Sequence, residues 1–234
     1  MRGELILGDC MDHLRGFPEN HFDLAIVDPP YGRGEHGGIK RTHAVKQANG
    51  KSTFVRDGNY SKKSWDEKPP PTSYFIELSR VSKNQIIWGW NYYQYNKKAS
   101  GRIVWDKVND GSNQSDCEIA LNTTNERVDI FRFMWRGMMQ GSRENGAIME
   151  GNKKLNEKRI HPTQKPVQLY RWLLTNYAKK GDFILDTHVG SASSLIACEE
   201  LGFKYLGFER DKEYHRSGLK RLQESIRQVN IQYG

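Results

Sequence analysis

Cysteine is scarce, and its three copies, Cys10, Cys117 and Cys198, have no paired spacing. That excludes a disulfide framework and a zinc cluster, so no metal site and a reducing compartment are expected. No apolar run is long enough to span a bilayer, and Met1-Arg2-Gly3-Glu4 does not open like a signal peptide. A cytoplasmic protein with no membrane partner is the expectation. A Gly-x-Gly-x-x-Gly fingerprint is missing, which argues against an NAD-linked oxidoreductase. Acidic residues are outnumbered, 28 against 36 Lys and Arg, and the deficit is local. Residues 33–68 carry nine basic and four acidic side chains, residues 127–159 eight and four, and the remainder 19 and 20. A net charge of +8 concentrated in two loop-like segments is the footprint of a polyanionic partner, here nucleic acid.

What is present is organised around Asp28-Pro29-Pro30-Tyr31, which closes the apolar run Leu24-Ala25-Ile26-Val27. The run reads as a buried strand, so the tetrapeptide should lie where a sheet ends and a cleft begins. Two prolines cannot continue a strand, since each lacks an N–H and has φ fixed near −65°. Pro30 holds Pro29 extended and so aims its carbonyl. A carboxylate, a fixed carbonyl and a phenol ring at one corner suit methylation of an exocyclic amine on a nucleobase. The amine's lone pair is delocalised into the ring. Two acceptors against its N–H bonds favour a pyramidal nitrogen and stabilise the charge that develops. Asp28 can take the released proton, and Tyr31 offers a stacking face for an extruded base. A plain strand-ending turn is the alternative for the tetrapeptide by itself.

These residues resemble the catalytic motif of DNA amino-methyltransferases, which act on adenine N6 or cytosine N4 with S-adenosylmethionine. The motif usually begins with Asp in the adenine enzymes and often with Ser in the cytosine ones, which tilts this chain toward adenine. The resemblance assigns catalysis to Asp28, Pro29, Pro30 and Tyr31. Neither Cys10 nor Cys117 follows a proline, as the nucleophile of a C5-cytosine enzyme would.

Further matches supply a cofactor half. After the strand Glu4–Leu7, Gly8-Asp9-Cys10 can simply cap a helix through Asp9. In the family a Gly-Asp here lies near the adenine of the donor, which implies Asp9 and Cys10. His161-Pro162-Thr163-Gln164-Lys165-Pro166 resembles the family's Pro-Thr-Gln-Lys-Pro motif beside the donor's methionine portion and implies His161, Thr163 and Lys165. Phe183–Asp186 reads as a strand ending in a carboxylate, followed by a Gly- and Ser-rich turn that lets a ligand approach the backbone, with Asp186, His188, Gly190, Ser191 and Ser193 as candidates. The family's Asp-Pro-Phe-x-Gly-Ser-Gly-Thr is altered here. Thr187-His188 replaces Pro-Phe, and Ala192 replaces the second Gly. If φ at Ala192 must be positive, its Cβ costs energy; if the Gly serves only packing, Ala is tolerated. His188 either covers the donor or fills the loop. Glu209, ending the strand Tyr205–Glu209, stands where Rossmann-type sites carry an acid for ribose hydroxyls, with pairing to Arg210 or Lys212 as the alternative.

Helices are expected from Thr72 to Lys83, after Pro166, and from Asp211 to about Gln228, the last one purely structural. Further strands are expected at Gln85–Trp88, Arg102–Trp105, Cys117–Leu121 and Val128–Met134. The aromatic cluster Trp88, Trp90, Tyr92, Tyr93 and Tyr95 is read mainly as packing. The alternation implies one three-layer α/β domain over 1–234 with a mostly parallel sheet, and the resemblance makes it a Rossmann-like methyltransferase fold. Its catalytic strand precedes its cofactor strand, which resembles the family's permuted beta group. Residues 33–68, with few apolar anchors, are expected to be a mobile DNA clamp or lid, with a disordered insertion of no such role as the alternative, and the resemblance implies that 136–160 is a target-recognition segment. The phosphate-contact candidates are Arg33, Lys40, Arg41, Lys46, Lys62, Lys63, Arg136 and Arg143. The expected partner is double-stranded DNA, with a homodimer left open. The alternatives are the cytosine N4 reaction and a nucleic-acid-binding protein that keeps the fold without turnover.

Overall fold

The computed structural model describes residues 1–34, 42–46, 52–56, 63–108, 115–136, 139–141 and 156–233, with the backbone alone at 42–46, 52–56, 136, 139 and 229–233. In chain order these build β1 (Gly3–Leu7), α1 (Cys10–Leu14), β2 (Phe22–Val27), β3 (Thr42–Lys46), β4 (Ser52–Arg56), α2 (Thr72–Val81), β5 (Ser82–Trp88), β6 (Arg102–Asp106), β7 (Cys117–Asn122), β8 (Val128–Arg132), β9 (Met134–Arg136), β10 (Met139–Gly141), α3 (Val167–Tyr177), β11 (Phe183–Asp186), α4 (Ser193–Leu201), β12 (Lys204–Glu209) and α5 (Lys212–Tyr233).

Eight strands form one sheet in the order β1-β12-β11-β2-β5-β7-β6-β8. The first five run parallel to one another, and β7 is antiparallel to both its neighbours. β2 lies inside the sheet, covered on both faces, which is why its sequence is an uninterrupted apolar run. Leu24 and Ile26 point to the face packed by α3, α4 and Leu222 of α5. Ala25 and Val27 point to the face packed by Cys10 and Leu14 of α1 and by Tyr74, Phe75, Leu78 and Val81 of α2. Two helical layers on a mostly parallel sheet bear out the three-layer fold.

From β11 the chain winds outward through α4 to β12, and from β2 it winds the other way through α2 to β5. The order therefore reverses between β11 and β2, which are in register at Ile184↔Leu24 and Leu185↔Ala25. A crevice opens at the carboxyl ends of the strands at such a point. Asp186 ends one strand and Asp28 follows the other, so residues 158 positions apart in sequence arrive side by side.

Three local expectations need correction. α2 stops at Val81, and Ser82-Lys83 already extend into β5, where Ser82 Oγ donates to Leu78 O. The stretch Val128–Met134 is two strands, because the parallel partner of β8 ends at Asp106. Phe133 N donates to Asp106 O, and the chain then turns to pair β9 with β10. The segment 33–68 contains the antiparallel ribbon β3–β4 and is not all loop.

Candidate active site

The catalytic corner leaves β2 at Asp28 and is fixed from behind by Asp66, which is buried. Its Oδ1 accepts from Tyr31 N at 2.7 Å and Gly32 N at 3.0 Å. Gly89, at φ +70, lies so close under Tyr31 that an added Cβ would stand 2.1 Å from the ring. Tyr31 in turn stacks on Tyr92 with ring centroids 5.0 Å apart. Its hydroxyl donates to Asp28 Oδ1 at 2.7 Å and lies 3.1 Å from Glu118 Oε2. Tyr93 donates its hydroxyl to Pro29 O at 2.8 Å, so this aromatic touches the corner directly instead of only packing.

Lys165, expected beside the donor, reaches Asp28 Oδ2 at 2.5 Å and Glu118 Oε2 at 2.9 Å. Its side chain is only 3% exposed. Burial would lower its pKa, but the two carboxylates outweigh burial and raise it. Glu118 also receives Lys107 at 2.5 Å. Burial raises its carboxyl, yet the two ammonium groups outweigh this and hold it at about 2. Asp28 has only Lys165; burial dominates there, and its carboxyl is raised. Of two carboxylates around one buried ammonium, the one with a second cation keeps the charge more firmly.

A cleft runs from this corner along the carboxyl ends of β11, β12 and β1. Asp9, Cys10, His161, Thr163, Lys165, His188, Gly190, Ser191 and Glu209 all line it, together with Asp28 and Pro30. Asp186 and Ser193 do not line it. Asp186 sits behind the wall, accepting from His188 N at 3.0 Å and Ser194 Oγ at 2.5 Å, and burial raises its carboxyl to about 7. Ser193 Oγ joins Ser191 Oγ and Arg221, and Arg221 also pairs with Glu157. Glu157 caps the first turn of α3 at Val167 N and so ties α3 to α4 and α5.

Glu209 accepts from Gly190 N and Asp211 N, each at 2.8 Å, an arrangement that binds the turn after β11 to the end of β12. Asp9 accepts from Met11 N at 2.9 Å and so caps α1 while lining the cleft. Cys10 is buried, which pushes its thiol up to about 12 and leaves it a small apolar wall. His188 continues a chain in which Tyr74 and His188 both bond Thr187 Oγ1, at 2.6 and 2.9 Å. Burial keeps its imidazole neutral down to about 4. Ala192 has φ +63, the left-handed conformation, so the substitution does carry a backbone cost. Gly218 of α5 packs against this turn, where an added Cβ would stand 3.0 Å from Gly190 O and in ordinary contact, 3.5 Å, with the Ala192 methyl.

Sequence reasoning missed Trp65, Tyr170 and Tyr214, which line the cleft. It also missed Glu118 and Lys107. The helix read as purely structural contributes Tyr214 and Arg221. Of the basic candidates, Arg33 donates to Tyr92 OH at 2.8 Å, and Lys63 pairs with Asp211 at 3.0 Å and Glu213 at 2.8 Å. Lys40, Arg41, Lys62 and Arg143, and the side chains of Lys46 and Arg136, lie outside the described residues.

A crevice at a topological switch point, with acids and a glycine turn along one wall and a carboxylate with an aimed carbonyl at its end, defines a nucleotide-cofactor enzyme that transfers a group to a polar acceptor. A family model described as DNA methylase matches residues 80–220, more than half of the chain, and the chain belongs to that family. The type II methyltransferase M2.DpnII of Streptococcus pneumoniae is 25% identical over 248 residues, covering 94% of this chain and 89% of its own. M.HinfI of Haemophilus influenzae is 25% identical over 255 residues, covering 94% and 68%. Among solved structures, the M1.HpyAVI–SAM complex superposes with a TM-score of 0.54 at 17% identity, covering 94% and 98%. The PvuII DNA methyltransferase, described as cytosine-N4-specific, gives 0.52 at 12% identity, covering 97% and 92%. These two likenesses establish the fold.

The cofactor of the family is S-adenosylmethionine, and the residues here fit it. Glu209 and Asp9 offer acceptors for hydroxyl and amino groups, the backbone at Gly190 is open to close approach, and Val189, Phe208 and Pro30 supply the apolar wall. Among the described residues, no group of His, Cys, Asp and Glu is placed to hold a metal ion, and no helix is long and apolar enough to cross a membrane.

Proposed function

We propose that the protein methylates N6 of adenine in double-stranded DNA, with Asp28 and Pro29 O as the acceptors that orient the amine. The observation that carries this reading is that Asp28 borders the cleft that Glu209 and Gly190 also line, so a donor held there meets a base held at the corner. S-adenosylmethionine supplies a methyl group on a sulfonium, open to in-line attack. Asp28 and Pro29 O accept the two N–H bonds of the amine, draw its lone pair out of conjugation and stabilise the cation that forms. Asp28 then takes the proton; its burial, which raises its carboxyl, favours that step. Tyr31 and the nearby Tyr92 provide aromatic surface for the extruded base. Asp at the head of the tetrapeptide favours adenine over cytosine.

The domain assignment belongs to the same proposal: one methyltransferase domain over 1–234, with 33–68 clamping phosphates and 136–160 reading the target. The basic excess of both segments supports it. Arg33, Lys40, Arg41, Lys46, Lys62, Lys63, Arg136 and Arg143 are the proposed contacts. Lys63 then exchanges Asp211 and Glu213 for phosphate. The free cysteines accord with a cytoplasmic location, and the brevity of 136–160 supports either a short recognition site or help from a second copy of the chain. Nucleoside mass spectrometry of DNA treated with the protein and donor tests the reading. N6-methyladenine is expected; N4-methylcytosine would reassign the base, and no methylated base would remove the activity.

A further inference from the structure

Every acceptor at the corner already has a donor. Tyr31 OH is on Asp28 Oδ1, Tyr93 OH on Pro29 O and Lys165 Nζ on Asp28 Oδ2. A carbonyl oxygen has a second lone pair for an incoming amine, so Tyr93 need not leave. Lys165 is different. Its ammonium is a tetrahedral cation 2.5 Å from the oxygen nearest to it, which is the place and charge an amino nitrogen acquires as it is methylated. Two such cations cannot share Asp28 without strong repulsion at this separation. The lysine has another holder. Glu118 grips it at 2.9 Å and is itself fixed by Lys107, which directly follows the neighbouring strand β6. The Lys165 ammonium also lies 5.4 Å from the centre of the Tyr31 ring and 5.6 Å from that of Trp88, so it sits over aromatic faces whichever carboxylate it favours.

We propose that Lys165 is a positioning residue that stands in for the target amine on Asp28, and that Glu118 retains it when the amine arrives. The inference rests on the methyltransferase reading and extends it. In the empty corner Lys165 holds the Asp28 carboxyl in place and is, among the described residues, its one contacting counter-ion. When the base enters, the amine takes Oδ2 and Lys165 shifts its weight to Glu118. The N–C bond then forms as the C–S bond breaks, its electron pair leaving on sulfur. The surplus amine proton passes to Asp28, and Lys165 stays charged on Glu118 throughout. The other titratable groups felt at Asp28 are Tyr31, Tyr74, Tyr93, Tyr170 and Asp186, with Lys107 acting through Glu118. None of these supplies a second cation in contact with Asp28.

The test compares Glu118→Gln, Lys165→Met and the double variant with the unaltered chain. Donor affinity is read by calorimetry, and transfer to DNA is followed against pH. With Glu118→Gln, Asp28 is the one carboxylate left to Lys165, which also donates to Tyr31 OH at 3.0 Å, and the lysine competes with the amine. The KM for DNA should rise tenfold or more, while donor affinity stays within threefold. With Lys165→Met, Asp28 loses its counter-ion, so the acid limb of the pH–rate profile should move at least one pH unit toward alkali, with most of the rate regained there. In the double variant the KM effect should vanish, because no lysine competes. Additive losses at every pH would overturn the proposal, as would a tenfold loss of donor affinity in Lys165→Met, which would make Lys165 a donor ligand. Should Lys165→Met fail to fold, an unchanged KM in Glu118→Gln still overturns it. If the unaltered chain binds donor but transfers no methyl group to DNA, the underlying reading fails, and the inference falls with it.

Discussion

Glu209→Gln perturbs the donor cleft with the least change of shape. The carboxylate has about four lone-pair positions, and two of them are taken by Gly190 N and Asp211 N at 2.8 Å. Glu209 lines the cleft, and the remaining two are the proposed acceptors for the ribose hydroxyls of the donor. Replacing the charge by an amide turns charge-assisted hydrogen bonds into neutral ones, which are roughly half as strong, a loss of about 1–1.5 kcal/mol at each hydroxyl. The sum, about 2–3 kcal/mol, is a weakening of roughly 30- to 150-fold in Kd. The amide also turns an NH2 toward one of the two backbone N–H groups, costing the fold about 1 kcal/mol. Calorimetric titration of the folded variant with S-adenosylmethionine reads the first figure and urea unfolding the second. A Kd within threefold of the unaltered chain would refute the role given to Glu209.

Other positions carry their own tests. Gly89→Ala places a Cβ 2.1 Å from the Tyr31 ring at a residue with φ +70, so transfer should fall by about 100-fold with donor affinity retained; normal transfer would show that the seat of Tyr31 is irrelevant. Ala192→Gly relieves a left-handed alanine worth about 1–2 kcal/mol but gives back about 0.4–1 in unfolded-chain entropy and about 0.8 for the buried methyl. Its unfolding free energy should therefore stay within about 1 kcal/mol of the parent, and a larger change either way would contradict the ledger. Asp186 has a folded pKa of about 7, raised above its unfolded value near 3.8, so the native state binds the extra proton. Relative to Asp186→Asn, the parent should be most stable below about pH 4 and lose up to roughly 4 kcal/mol as the pH rises to about 7. The neutral His161 and His188 pull the opposite way in both proteins and cancel in the difference. A flat difference would mean Asp186 is ionised at no cost.

Legibility in the sequence followed locality. The run Leu24–Val27 could be read as a doubly covered strand because burial on both faces leaves no room for polar residues, and the corner after it is announced by two prolines. The neighbouring positions of Asp28 and Asp186 needed one further step, the order of the strands, which alternation leaves open and only the resemblance to the family's permuted group suggested. What stayed hidden depends on register between distant segments. Glu118 meets Lys107 because β7 runs antiparallel to β6 with Glu118 opposite Trp105. Lys165 meets Asp28 across 137 residues. Neither contact has a signature in spacing. Trp65 and Asp66 offered a faint signal, an aromatic and an acid amid basic residues, yet nothing local shows that one lines the cleft and the other anchors Tyr31.

The most direct test is a single-turnover transfer of labelled methyl groups to DNA by Asp28→Ala, with donor affinity measured on the same preparation. The variant should bind S-adenosylmethionine within about threefold of the parent, since Asp28 sits at the end of the cleft and Glu209 is intact, while transfer drops by at least about a thousandfold. Transfer at the parental rate would mean that the carboxylate beside the cleft takes no part in the chemistry.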